Sequence, residues 1–237
     1  MYDHLHQPDI VFLDAWHTLF TVRLHGPQRV AAALQTVGIT VDDATLQAAL
    51  ARTREGIKAL DLPFVATPDH ERDWYRVYNR LLLQALSVED TGDLADRVAE
   101  AAHYVPHCIL YDDTRPALDA LRAAGHRLAV LSNAYPSLVD ALRGLDVLDY
   151  FDLLIVSAFE GCEKPDPAIY QAALRAAKVT PARAMFVDDV PENIEAANAL
   201  GMVGVLIDRD GQYTATPLRR ITRLTDLVPL LEPSRLV

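Results

Sequence analysis

The chain alternates short, almost wholly apolar runs with longer stretches in which apolar residues recur every three or four positions. Five runs of the first kind are 9–16 (DIVFLDAW), 127–132 (RLAVLS), 153–158 (LLIVSA), 184–189 (AMFVDD) and 203–208 (VGVLID). Each is too short for an independent helix and too uniformly apolar for a strand with one wet face. Each therefore predicts a parallel strand covered on both sides. Between them, helical spacing predicts helices over 115–124, closed by Gly125, over 136–144, over 165–178, and over 191–200, closed by Gly201. The alternation predicts an α/β fold with a doubly wound parallel sheet.

The segment from about residue 21 to 106 breaks this pattern, because it offers no convincing strand. It predicts four helices: 27–37 ending at Gly38, 42–58, 69–86 with Pro68 and Asp69 at its start, and 92–104. An all-helical insertion after the first strand predicts a cap domain, 21–106, on a core made of 1–20 and 107–237. Hinges are expected near 19–25 and 105–114, and the Leu- and Pro-rich tail after Asp226 predicts a short helix on the core.

Composition narrows the partners. A chain of 237 residues with 51% hydrophobic content can bury a core of this size. A formal net charge of -11 argues against nucleic acid, whose binding depends on clustered Lys and Arg. The two cysteines, Cys108 and Cys162, form no CxxC pair, so neither a disulfide framework nor a zinc site is indicated and a reducing cytoplasm fits best. MYDHLHQPDI lacks the basic start and apolar stretch of a secretory signal, and no segment approaches the roughly 18 apolar residues of a membrane span. A soluble cytoplasmic protein acting on a small molecule, with no membrane partner, is expected.

Ligands of a doubly wound sheet gather at the carboxyl ends of its strands, near the point where strand order reverses. The first run ends with Asp14, followed past Trp16 and His17 by Thr18. The second ends with Ser132 and Asn133, Lys164 lies beyond the third in GCEKPDP, and the fourth ends with Asp188 and Asp189. A carboxylate such as Asp14 can attack phosphorus and split one difficult hydrolysis into two steps. Several carboxylates at one sheet edge repel each other unless a hard cation such as Mg²⁺ lies between them. Ser132, Asn133 and Lys164 can then hold phosphoryl oxygens.

Taken singly, these residues have plainer readings. Ser-Asn after a strand also suits a turn, Lys before Pro suits a solvated surface, and Asp-Asp suits the cap of a helix starting near Pro191. Their order, and their common place at strand ends, favour the joint reading.

The motifs FLDAWHTLF, LAVLSNA, GCEKPDPAIYQAAL and MFVDDVPENIEAANALGM resemble, in that order, the four motifs of the haloacid dehalogenase-like hydrolase superfamily. The resemblance covers roughly 9–20 and 107–210 and implies a Rossmann-like catalytic core with a helical cap inserted after the first motif. It implies that Asp14 is the nucleophile and a Mg²⁺ ligand, and that the backbone carbonyl of Trp16 faces the metal. Asp188 and Asp189 would complete the metal ligands. Thr18, Ser132, Asn133 and Lys164 would manage phosphate and nucleophile.

The sequence departs from the phosphatase members at Trp16, where they carry a second Asp that protonates the leaving alcohol. A positioned acid or base contributes about 10²–10⁴-fold, and the indole, a donor that does not titrate usefully, cannot replace it. Four readings follow. The first is a Mg²⁺-dependent phosphohydrolase acting on a small phosphorylated metabolite, confined to good leaving groups or borrowing a proton from His17. The second is a 2-haloacid dehalogenase-like hydrolase on a halogenated substrate, because halide departs without a proton, although the Asp188–Asp189 pair would repel carboxylate substrates. The third is a phosphonate hydrolase using Lys58, the only lysine of the insertion, as a Schiff base. The fourth is a pseudoenzyme that retains a Mg²⁺ and phosphate pocket. His103 and His107 lack a third ligand for zinc, and Trp74, Tyr75 and Tyr78 at helical spacing suit core packing as well as a substrate wall.

Overall fold

The computed structural model describes residues 8–60, 62 and 64–231. Residues 1–7, within the stretch read for an export signal, lie outside them. Eight strands are present among the described residues: β1 (Ile10–Leu13), β2 (Phe20–Val22), β3 (Cys108–Leu110), β4 (Arg127–Ser132), β5 (Leu153–Val156), β6 (Ala184–Asp188), β7 (Val203–Ile207) and β8 (Arg220–Ile221). Six form one sheet in the order β5-β4-β1-β6-β7-β8, and every neighbouring pair is parallel. The five apolar runs are its five principal strands, as the pattern predicts.

Both faces of β1 are buried, which is why its sequence is a run and not an alternation. In register, Phe12 lies between Ala129 of β4 and Phe186 of β6. Ile10, Phe12, Leu131, Phe186 and Leu206 pack with Tyr170 and Ala173 of the helix Pro167–Ala177 and with Ile194 and Ala197 of the helix Pro191–Ala199. Val11, Leu13, Val130 and Val187 are completely buried as well. The helix Thr114–Ala123 lies against β4 and carries the short closing helix Leu227–Leu231. A fully buried aliphatic side chain contributes about 1.5–3 kcal/mol, so the central strands anchor this layer.

The chain separates into two compact units. One is the sheet with its helices, built from the residues up to Thr21, from Ile109–Ala134 and from Leu142 onward. The other comprises Val22–Cys108 with Tyr135–Ala141. Its helices are Gly26–Thr36, Asp43–Lys58, Pro68–Ala85 and Leu94–Ala101, around a core of Val30, Leu34, Leu46, Leu50, Leu82, Leu83 and Val98. The third of these starts where Thr67 accepts a hydrogen bond from the His70 backbone N–H at 3.2 Å and Pro68 needs no donor. Tyr135–Ala141 groups with this unit although the hydropathy pattern assigns it to the sheet. The buried carboxylate of Glu71 accepts from the Ser137 backbone N–H at 2.9 Å and from the Ser137 hydroxyl, which also bonds the Tyr104 hydroxyl.

The strand pair β2 and β3 forms a small second sheet at the two points where the chain passes into and out of the helical unit. Together with β8 these strands have only two or three residues each, too few for hydropathy to reveal.

Candidate active site

All the strand-end residues singled out above belong to the sheet unit. Asp14, one residue beyond β1 and only 5% exposed, is held by its backbone N–H on the Val187 carbonyl at 2.8 Å. Lys164, 4% exposed, donates to Asp14 Oδ1 at 2.6 Å, to Asp188 Oδ2 at 2.6 Å and to the Leu131 carbonyl at 3.0 Å. Its three N–H donors are thereby all engaged, and it also faces the Phe186 ring at 5.2 Å.

The plainer reading of the acidic pair holds for one member only. Asp188 Oδ1 accepts from the Val190 backbone N–H at 2.8 Å, and both of its oxygens take the Asn193 side-chain amide, so it organises the start of the helix Pro191–Ala199. Asp189 is half-buried beside Asp14 and Asp188. Burial and those two charges push its carboxyl up to about 7. Burial likewise pushes Asp14 up to about 6, Lys164 pulling against it and Asp188 adding to it, while the Ser132 hydroxyl also bonds its carboxylate. Burial works against the charge of Lys164, but Asp14 and Asp188 outweigh it and hold the ammonium above its ordinary range. Three carboxylates thus face one ammonium.

The loop after Asp14 is a tight turn. Ala15 O accepts from the N–H groups of Leu19 and Phe20, and His17 sits at φ 59°, in the left-handed region. Thr18 is completely buried, and its hydroxyl has no hydrogen-bond partner among the described residues. A buried hydroxyl without a partner is unusual in a folded protein. Trp16 is half-buried, with its ring edge-on to His17 and Phe20 at 5.6 and 5.5 Å. His17 is exposed.

Asn133 is tied to the lysine motif. Its amide donates to Lys164 O at 2.8 Å and accepts from Lys164 N at 2.7 Å, so the side chain clamps the lysine's backbone. The insertion's lysine, Lys58, is exposed and paired with Glu55 at 3.3 Å, an ordinary surface contact. Trp74 and Tyr78 stack at 5.3 Å, and Tyr75 meets His103 at 5.2 Å, within the helical unit. Arg209 is the residue that reading strand ends missed: it stands two residues past the end of β7 and bonds the His17 and Thr18 carbonyls. Continuing the same reading to the end of the fifth run, into VGVLIDRD, would have reached it.

Among the described residues no three His, Cys, Asp or Glu side chains come together as a metal cage. The donor chemistry nevertheless suits Mg²⁺, which keeps several waters and needs only one or two carboxylates. Asp189, crowded by two like charges, has the chemistry of such a ligand, and the Trp16 carbonyl belongs to the same loop as Asp14. No helix among the described residues is long and apolar enough to cross a membrane.

The sequence and fold have relatives. The family model of haloacid dehalogenase-like hydrolases matches residues 8–201. Phosphatase MT3486 of Mycobacterium tuberculosis is 36% identical over 118 residues, 48% of this chain and 54% of that protein, so the match spans about half its length. (S)-2-haloacid dehalogenase 4A of Burkholderia cepacia is 29% identical over 73% of this chain and 78% of that one. In fold, the crystal structure of a 2-haloacid dehalogenase from Pseudomonas syringae superposes with a TM-score of 0.71 at 23% identity, covering 94% of this chain and 98% of that one. With four motif segments at the ends of one parallel sheet and a family match across most of its length, the chain belongs to the haloacid dehalogenase-like hydrolases.

Proposed function

We propose that this hydrolase is a phosphohydrolase acting on a small phosphorylated metabolite through a covalent intermediate on Asp14. The observation that carries the reading is the excess carboxylate Asp189, which Lys164 leaves unbalanced and which a divalent cation would neutralise. An Asp14 oxygen forms a bond to phosphorus as the bond to the leaving group breaks, and the leaving oxygen keeps the electron pair. Water then attacks the same phosphorus, both of its protons go to the released phosphate, and the Asp14 carboxylate is restored.

Lys164 fixes the Asp14 carboxylate and balances its charge, Ser132 bonds it, and the enclosed Thr18 hydroxyl lies in the turn beside it. Asp14, Asp189 and the Trp16 carbonyl, with Asp188 behind them, would hold Mg²⁺, which when bound supplies positive charge to the phosphoryl oxygens. No carboxyl stands at position 16 to protonate the departing oxygen, so aryl and acyl phosphates are favoured over alkyl ones.

A second reading, dehalogenation of a 2-haloacid, has its own support. Lys164 already bonds both Asp14 and Asp188 directly at 2.6 Å, and halide needs no proton from residue 16. The two readings separate in one experiment with p-nitrophenyl phosphate, acetyl phosphate and 2-chloropropionate, each with Mg²⁺ and with EDTA. Mg²⁺-dependent phosphate release is expected. Chloride release that EDTA leaves untouched would replace the first reading with the second, and silence on all three would count against both.

A further inference from the structure

Arg209 reaches back across the sheet unit to the turn that carries the proposed nucleophile. Its Nε donates to the His17 carbonyl at 3.2 Å and its Nη2 to the Thr18 carbonyl at 2.7 Å. Its Nη1 meets both oxygens of Asp113, at 3.0 and 3.2 Å. The guanidinium lies 3.8 Å from the centre of the Tyr111 ring, and the side chain is 13% exposed. Asp113 is itself completely enclosed and is fixed by the Leu224 backbone N–H at 2.6 Å. One planar group is therefore locked on an anion, on an aromatic face and on two consecutive carbonyls.

Those carbonyls bracket the decisive part of the turn. His17 is in the left-handed region, a conformation that a non-glycine residue keeps only when its surroundings impose it. The next residue bears the buried, unpartnered hydroxyl, and Asp14 lies three residues before His17. The neighbouring Leu19 carbonyl is held separately, by the Thr114 hydroxyl at 2.7 Å and the Tyr111 N–H at 3.2 Å.

We infer that Arg209, fixed by Asp113, is a positioning residue for this turn. By holding the His17 and Thr18 carbonyls it sets the direction of the Thr18 hydroxyl and of the Asp14 carboxylate. Lysine cannot reproduce the function, because an ammonium is a point donor and cannot span an anion and two carbonyls in one plane. The effect on turnover rests on the reading of Asp14 as nucleophile, whereas the hold on the turn does not.

The test uses the full chain carrying Trp74→Phe, which leaves Trp16, inside the turn, as its only tryptophan. Arg209→Gln, Arg209→Lys and Asp113→Asn are compared for kcat and KM on whichever of the three probes the parent turns over, and for acrylamide quenching of Trp16. Arg209→Gln is expected to lower kcat roughly 100-fold while KM changes by less than about threefold, the scale of a misplaced reacting group. Arg209→Lys, the milder variant should the first fail to fold, is expected to lose about tenfold for the same reason. Trp16 quenching should rise in both, and the double variant Asp113→Asn with Arg209→Gln should lose little more than Arg209→Gln alone, because the two act as one unit. The inference is overturned if kcat stays within about twofold of the parent, or if kcat falls while Trp16 quenching is unchanged. If the parent is silent on every probe, the functional reading fails and quenching alone decides: a rise supports the hold on the turn, and no change overturns it.

Discussion

The two units each bury a carboxylate, and they treat it in opposite ways. In the helical unit Glu71, 4% exposed, is surrounded by the neutral donors of Ser137, with Tyr104 beyond them and the His103 ring at 3.8 Å. In the sheet unit Asp14 and Asp188 share one ammonium, and Asp189 is left over. Burial holds the Tyr75 and Tyr104 hydroxyls above their ordinary range and pushes the Cys108 thiol up to about 11, so these three groups of the helical unit stay neutral. The sheet unit instead concentrates charge where its strands end. A satisfied buried carboxylate organises structure, whereas a crowded one stores electrostatic energy that a ligand can release.

The largest effect expected is on turnover. Asp14→Asn should lower it by at least roughly 10⁴-fold, the scale seen when a covalent nucleophile is removed. Retained activity in that variant would remove the common basis of both functional readings.

Next comes Lys164→Met, which leaves two buried carboxylates without their cation and should cost ~3–5 kcal/mol in urea unfolding. Glu71→Gln should cost only ~1 kcal/mol, the worth of an altered hydrogen bond. Equal losses would erase the distinction between the two carboxylate sites.

Trp16→Asp should raise turnover of alkyl phosphates more than of aryl ones, by about tenfold or more, since only the poorer leaving group needs a proton. An equal gain on both would count against the leaving-group argument.

Alkylation by iodoacetamide, followed residue by residue by mass spectrometry, probes the neutral interior. The reactive species is the thiolate, and a thiol pushed up to about 11 is almost entirely protonated at pH 8. Labelling of Cys108 should therefore be slow at pH 8 and climb about tenfold per pH unit until pH nears 11. A rate already level at pH 8 would show that burial does not govern this thiol.

The smallest effect is Asp189→Asn in the presence of EDTA. Removing the surplus charge should raise the unfolding midpoint by about 2–4 °C, roughly 1 kcal/mol after allowing for solvent screening. A fall would mean that Asp189 is held by partners and is not crowded.

Much of the sheet was legible because strands buried on both faces leave an unmistakable mark, and the chemistry was legible because parallel strands deliver their ends to one edge. What stayed hidden depends on bonds between distant residues. The reciprocal clamp of Asn133 on Lys164 joins positions 31 apart, and the hold of Arg209 on Thr18 joins positions 191 apart. The place of Tyr135–Ala141 is decided by a buried glutamate some 66 residues earlier. No local period encodes such pairings. The acidic pair had two readings in sequence because Asp188 and Asp189 do different work, and only geometry separates neighbours of one type.

The pairing of β2 with β3, continued by the Arg23 N–H on the His107 carbonyl at 2.9 Å, brings the two ends of an insertion of more than eighty residues side by side. The gap to be bridged at that doorway is the width of two strands, about 5 Å, whatever lies beyond it. A foreign segment whose own ends lie close together could be spliced between the two strands with its entry and exit already matched, which makes this junction the natural seam for building chimeras on the same sheet.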